Sequence, residues 1–257
     1  MTEAAAERKS LAGKVALITG GCGGLGQATA ARLKSSGANV VISDLDADQG
    51  AEVAKALGVT FLQQDVSNPD GWVQTAAALK ERFDGLDILV NNAAILRADH
   101  IEAETIEQFE RVMAINCHSV FLGIQACLPL MHRPGGAIVN ICSSSAEMGF
   151  PQFCAYTASK AAVRSLTMST AVYLKQQGRA LRCNSVHPDG IITPMVMNIA
   201  GSPPQMNHDM GMQAASFACE PGAVADVIAF LASDDARHIN GAAIKVDNTS
   251  TIHPPYW

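Results

Sequence analysis

Charged side chains are scarce in this 257-residue chain: Asp, Glu, Lys and Arg make up 16 % of it, against 48 % hydrophobic residues. That balance supplies one large core, and the length suits a single α/β domain spanning 1–257. The net charge is only −6, with no basic stripe and no block of like charge, which argues against nucleic acid or an anionic membrane as the main partner. No stretch reaches the ~18 uninterrupted apolar residues of a membrane span. The first ten residues, MTEAAAERKS, hold no apolar signal core, so the expectation is an unprocessed cytoplasmic protein. The seven cysteines (22, 117, 127, 142, 154, 183, 219) are odd in number, scattered and never paired as C-x-x-C, which speaks against a disulfide scaffold or a zinc site and for a reducing compartment. No two of the seven histidines stand three or four apart, so no helical metal pair is expected. Repeats, low-complexity tracts and interdomain linkers are missing too, and a small-molecule partner is what remains.

What is present is an alternation of short apolar runs and longer helix-like stretches. Val15 to Ile18, Asn39 to Ser43, Val59 to Leu62, Asp87 to Val90, Ala137 to Ile141 and Cys183 to Val186 read as strands buried on both faces. Helices are expected to begin near Gly24, Ala47, Pro69, Thr105 and Ala155, the fourth opened by the capping box Thr105-Ile-Glu-Gln108. Repeated β-α units joined by right-handed crossovers predict a doubly wound, Rossmann-type parallel sheet with helices on both faces.

The segment TGGCGGLG at 19–26 follows the first strand and opens the first helix, the setting in which a glycine-rich turn binds a dinucleotide. Gly20 serves the tight turn, Gly24 the approach of backbone N–H groups to phosphate, and Gly26 close helix packing, with Leu25 in the same first turn. Asp44 ends the second strand eighteen residues after Gly26, placed to accept hydrogen bonds from the adenosine ribose and to repel a 2′-phosphate. No Lys or Arg lies in the loop or directly after Asp44, which favours NAD over NADP. The alternative, that Asp44 only caps the next helix, is weakened because Asp46 can do so.

A second constellation moves protons. Tyr156 and Lys160 stand four apart on a helical segment, so they share a face and the ammonium can favour the phenolate. Ser143 lies thirteen residues before the tyrosine, just past the strand Ala137 to Ile141, where its hydroxyl can bond a substrate oxygen. Ser144 and Ser145 fit that spacing less well and are expected to hold the loop. Cys142 reads as a small buried residue and His187, before a proline, as a strand-end residue rather than a base.

With these residues in place the chain resembles the short-chain dehydrogenase/reductase family from about Leu11 to Ser250. The T-G-x-x-x-G-x-G loop is matched by Thr19, Gly20, Gly24 and Gly26, the adenine-contacting pair by Asp65 and Val66, and the N-N-A-G stretch by Asn91, Asn92 and Ala93, with Ala94 replacing glycine. The resemblance implies a catalytic tetrad of Asn116, Ser143, Tyr156 and Lys160. It implies that Asn116 holds a relay water, that Lys160 also binds the nicotinamide ribose, and that Ile192 and Thr193 contact the carboxamide. Read without the resemblance, Asn116 is a polar residue inside a helix from Thr105 to about Met131. The string Val186-His-Pro-Asp-Gly-Ile-Ile-Thr-Pro-Met195 and the later Val246-Asp-Asn-Thr-Ser250 resemble the bacterial 3β/17β-hydroxysteroid dehydrogenases. With Asp189 where most of the family has glycine, positive-φ freedom is expected to pass to Gly190.

The expected activity is NAD-dependent interconversion of a hydrophobic, by preference cyclic, secondary alcohol and its ketone, with hydroxysteroids first. Alternatives are a cyclohexanol-type or terpenoid alcohol dehydrogenase, then a 3-oxoacyl-carrier-protein reductase, and outside catalysis an NAD-binding regulator. A flexible segment at about 190–220, bearing Met195, Met197, Met206, Met210 and Met212, suits closure over an apolar substrate or simple gap filling. The resemblance implies a homotetramer formed partly through the two long helices. The terminal His253-Pro-Pro-Tyr-Trp257 could dock on a neighbouring subunit.

Overall fold

The computed structural model describes residues 10–195 and 218–252. Met197, Met206, Met210, Met212 and the C-terminal HPPYW segment lie outside those residues. Seven parallel strands, β1 (Val15–Thr19), β2 (Asn39–Asp44), β3 (Thr60–Gln63), β4 (Ile88–Asn91), β5 (Gly136–Ile141), β6 (Leu181–Pro188) and β7 (Ala243–Val246), lie in the order β3-β2-β1-β4-β5-β6-β7. The helices are α1 (Gly24–Ser35), α2 (Ala47–Leu57), α3 (Pro69–Phe83), α4 (Ile106–Met113), α5 (Ser119–Cys127), α6 (Cys154–Gln176) and α7 (Pro221–Ala232). The sheet is thus the doubly wound one expected from the alternation, in a single α/β domain.

Strands β1, β4, β5 and β6 are buried at every position, which is why they read as continuous apolar runs. The edge strand β7, Ala-Ile-Lys-Val, is half-exposed and carries a lysine, and its weak pattern gives no strand signal in the sequence; α7 is a further helix beyond the five expected from the sequence. One core layer packs Leu25, Leu33, Val224 and Ile228 beneath α1 and α7. The other packs Trp72, Leu79, Val120, Ile124, Val163 and Leu174 beneath α3, α5 and α6.

The ends of the helices follow local chemistry. Asp46 caps α2 by accepting from the Gln49 amide, and Asn68 caps α3 ahead of Pro69. Thr105 accepts from the Gln108 amide at 3.3 Å, the threonine half of the expected box. The helix it opens is not uniform: Ala114–His118 form a π-helical turn between α4 and α5. Over Ile106–Leu130 the hydropathy reaches 1.4, yet this apolarity serves the core, with Val112, Val120, Ile124 and Cys127 buried.

Candidate active site

After β3 the chain returns past β1 to lay β4 on its other side, so a crevice opens at the carboxyl ends of β1 and β4. Asn92 closes the floor of this crevice. Its side-chain amide donates to the carbonyls of Thr19 and Gly20 at 2.9 and 3.0 Å. The Thr19 hydroxyl in turn accepts from the amides of Asn92 and Ala93. Gly20 has φ +65°, and a Cβ there would stand 2.8 Å from the Ala93 Cα, so the turn needs glycine on both counts. At Gly26 a Cβ would meet the Gly20 carbonyl oxygen at 2.2 Å, the close helix approach anticipated for it.

The N-terminus of α1 fits an anion. No side chain caps it and no acid lies in its first turn, so its first amides, from Gly24 on through Leu25 and Gly26, are left for a ligand. Gly24 also makes room for a neighbouring segment. A Cβ there would strike the Thr193 methyl at 2.8 Å, so its bareness lets residues 191–193 lie over the glycine turn. Thr193 is buried there, while Ile192 is half-exposed and its amide donates to the Cys219 carbonyl. Asp44 does not cap α2. Its carboxylate accepts from the Cys22 amide at 2.9 Å and the Leu45 amide at 2.8 Å, and so joins the glycine turn to the end of β2. One Asp65 oxygen accepts from the Ser67 amide and hydroxyl, while the Val66 carbonyl accepts from the buried Trp72 indole. These residues fit a dinucleotide, whose nicotinamide would supply hydride acceptance or return.

Ser143, Tyr156 and Lys160 meet at the carboxyl end of β5. Ser143 leaves β5 in an extended conformation and caps the short 3₁₀ turn Ser144–Ala146, its hydroxyl accepting from the Ser145 amide at 3.2 Å. Tyr156 and Lys160 occupy successive turns of α6, as the four-residue spacing requires. Lys160 is buried and donates to the Ile141 carbonyl at 2.9 Å, while the Cys142 thiol donates to the Lys160 carbonyl at 3.0 Å. Helix α6 is stitched to the end of β5 on both counts. Burial pushes the Tyr156 phenol up to about 12, against the pull of its hydrogen bond with Ser143. Burial likewise brings Lys160 down to about 8. The expected lowering of the tyrosine by the lysine is therefore not what governs the pair: desolvation penalises both charged forms, and the pull on Tyr156 comes from Ser143.

Asn116 falls inside the π-helical turn. Its side-chain oxygen accepts from the Ile95 amide at 2.8 Å, and its amide donates to the Ile95 carbonyl and the Ser159 hydroxyl. It fastens the loop after β4 to α6, a link that helical periodicity could not reveal. Gly190 is not at positive φ, contrary to the expectation from Asp189; its missing Cβ instead admits Ala218 at 3.3 Å. Ser144 binds a side chain, not backbone: its hydroxyl donates to Asp189 at 2.8 Å, and the Ser145 hydroxyl is buried without a hydrogen-bond partner. Among the described residues no cluster of His, Cys, Asp or Glu could hold a metal.

The family described as Enoyl-(Acyl carrier protein) reductase matches residues 21–250. The chain is 39 % identical over 244 residues to a 3-beta-hydroxysteroid dehydrogenase of Comamonas testosteroni, covering 93 % of this chain and 96 % of that protein. It is 35 % identical over 252 residues to a trans-4-hydroxycyclohexanecarboxylate dehydrogenase of Sinomonas cyclohexanicum, covering 94 % of each. The crystal structure of levodione reductase superimposes with a TM-score of 0.86 at 32 % identity, covering 95 % of this chain and 100 % of that one. Likeness of this extent in both sequence and fold means that the chain belongs to the short-chain dehydrogenase/reductase family and is an oxidoreductase of the alcohol dehydrogenase and ketoreductase type.

Proposed function

We propose that the protein interconverts a hydrophobic cyclic secondary alcohol and its ketone with NAD, and that hydroxysteroids are the favoured substrates. The carrying observation is the convergence of Ser143, Tyr156 and Lys160 at the carboxyl end of β5, on the same edge of the sheet as the glycine turn that follows β1. In the oxidative direction Tyr156 takes the hydroxyl proton while Ser143 bonds the oxygen as charge develops on it. Lys160 supplies the nearby positive charge and binds the nicotinamide ribose, and Asn116 stands on the proton route to solvent. Gly20, Gly24, Leu25 and Gly26 hold the pyrophosphate, Asp65 and Val66 the adenine, Asn92 and Ala93 the crevice floor, and Ile192 and Thr193 the carboxamide. The Asp44 carboxylate at the end of β2 supports NAD over NADP, since a 2′-phosphate would meet its charge.

The 3-beta-hydroxysteroid dehydrogenase relative supports the steroid. The cyclohexanecarboxylate relative supports a small alicyclic alcohol as the second reading. NADH fluorescence across steroids, cyclic alcohols and acyl thioesters decides between them. A fused-ring hydroxysteroid should give a lower KM than cyclohexanol, because each further buried CH₂ contributes ~0.8 kcal/mol before conformational costs. Efficient turnover of cyclohexanol with no reaction of steroids would install the small alcohol instead.

We also infer a homo-oligomer, supported by the exposed apolar Phe121 on α5 and Met168, Val172 and Tyr173 on α6. A monomeric mass by light scattering would overturn it. The seven free cysteines support a cytoplasmic setting.

A further inference from the structure

We propose that His187 and Asp189 are positioning residues for the reaction, clamping the serine turn from the neighbouring strand so that the Ser143 hydroxyl keeps one direction. The proposal rests on the reading of Ser143 as the group that bonds the alcohol oxygen.

The need for a clamp arises from the sheet itself. Backbone pairing of β5 with β6 runs to Ile141 opposite Val186, and the Cys142 amide adds one bond to the Val186 carbonyl at 2.8 Å. Beyond it β5 turns into the 3₁₀ segment, so the ladder no longer holds Ser143 and Ser144. Side chains replace it. His187 lies in the last pleat of β6 and Asp189 in the bend just past its end, and each reaches the serine turn through its side chain. The His187 Nδ1 lies 3.2 Å from the Ser143 carbonyl oxygen, and Asp189 Oδ1 accepts the Ser144 hydroxyl at 2.8 Å.

His187 is itself held rigidly. It is fully buried, with Nε2 2.8 Å from the Ser185 hydroxyl. A carbonyl oxygen only accepts, so Nδ1 carries a proton; in the neutral ring that burial favours, Nε2 accepts from the Ser185 hydroxyl, whose other, longer acceptor is the Ala242 carbonyl at 3.4 Å. Burial lowers the histidine's pKa in the same sense. Three charged groups face it: Glu147 from the serine turn, 3.6 Å from Nδ1, Lys245 from β7, which pairs with Glu147 at 2.6 Å, and Arg164 from α6. A buried ring spent on a main-chain carbonyl cannot serve as the base.

The consequence for Ser143 is directional. Its carbonyl accepts from His187 and the Ala146 amide, and its hydroxyl accepts from the Ser145 amide. The hydroxyl proton and one lone pair remain for Tyr156 and the substrate oxygen. Asp189 also donates its amide to the Val246 carbonyl at 3.2 Å, so the clamp is anchored on β7.

The test compares His187→Leu, Asp189→Ala and Ser144→Ala with the conservative His187→Asn and Asp189→Asn, which keep a donor or an acceptor at the clamp. The three deletions should lower kcat on a secondary alcohol about tenfold, with the Kd for NADH within about threefold of wild type. The conservative variants should recover most of it, and the Ser144→Ala/Asp189→Ala double variant should be no worse than either single. Hydrogen exchange of the full-length protein should quicken at residues 144–147 and not in the glycine turn. Unchanged exchange in Asp189→Ala overturns the clamp whether or not a substrate is known. Faster exchange with unchanged kcat overturns its role in the reaction. An inactive wild type on every secondary alcohol would sink the alcohol reading, while exchange still decides the clamp.

Discussion

The Lys160 ammonium stands 5.5 Å from the centroid of the Tyr156 ring, over its face, in a site where the two groups titrate in opposite directions from their ordinary values. Tyr156 holds its proton up to about 12 and Lys160 releases its own at about 8. Without ligands, then, the tyrosine is loaded to give a proton to a ketone at neutral pH. Removing one from an alcohol requires added positive charge in the crevice.

Tyr156→Phe should lower kcat by at least about a thousandfold while the Kd for NADH stays within a few-fold, because only the ionisable hydroxyl is lost. Stopped-flow turnover and fluorescence titration measure the two quantities. A Phe variant with wild-type kcat would remove the tyrosine from its assigned role.

The depressed Lys160 predicts a stability trend with a definite sign. Below about 8 the folded state carries a buried ammonium at full cost, whereas the unfolded lysine keeps its proton to 10.5. Between those values the unfolded state binds more protons, so stability rises with pH. The stability of wild type relative to Lys160→Met should therefore increase by about 3 kcal/mol from pH 8 to 10.5. Urea melts of both proteins at four pH values give the difference, and a constant difference contradicts the buried-ammonium account.

Asp44→Ala should reduce kcat/KM for NAD by roughly ten- to a hundredfold, losing a charged acceptor and the bond to the Cys22 amide. For NADP the same change should raise kcat/KM or lower it less. Equal losses with both cofactors would make Asp44 purely structural, and a wild-type preference for NADP would defeat the cofactor assignment.

Two glycines in the same turn should respond differently to alanine. At position 26 the new methyl meets a backbone oxygen at 2.2 Å, which cannot yield, so stability should fall by about 1–3 kcal/mol or more. At position 24 it meets the Thr193 side chain, whose loop can shift. Gly24→Ala should cost less in thermal unfolding and more in cofactor affinity. The reverse order would show that the 191–193 segment does not rest on the turn.

Periodicity and spacing alone determined much of this protein. Runs of apolar residues marked the strands β1 to β6; β1, β4, β5 and β6 are covered on both faces and need no polar positions, whereas the edge strand β3, also expected to be buried on both faces, is only partly covered because no strand lies beyond it. The interval from Tyr156 to Lys160 was one helical turn in sequence and remains so in space. Asp46 was legible as the α2 cap, since a cap is satisfied three residues away. The tertiary structure decided whatever depends on partners distant in the chain. Strand β7 is short, half-exposed and defined by its register with β6, not by its own pattern. The π-helical turn at Asn116 accompanies a loop twenty-one residues earlier, bound through Ile95. His187 and Asp189 meet Ser143 and Ser144 across more than forty residues, so no local signal could pair them. The spacing of Tyr156 and Lys160 implied a mutual attraction that would set their proton affinities. Burial, which only the packed fold creates, sets them apart instead.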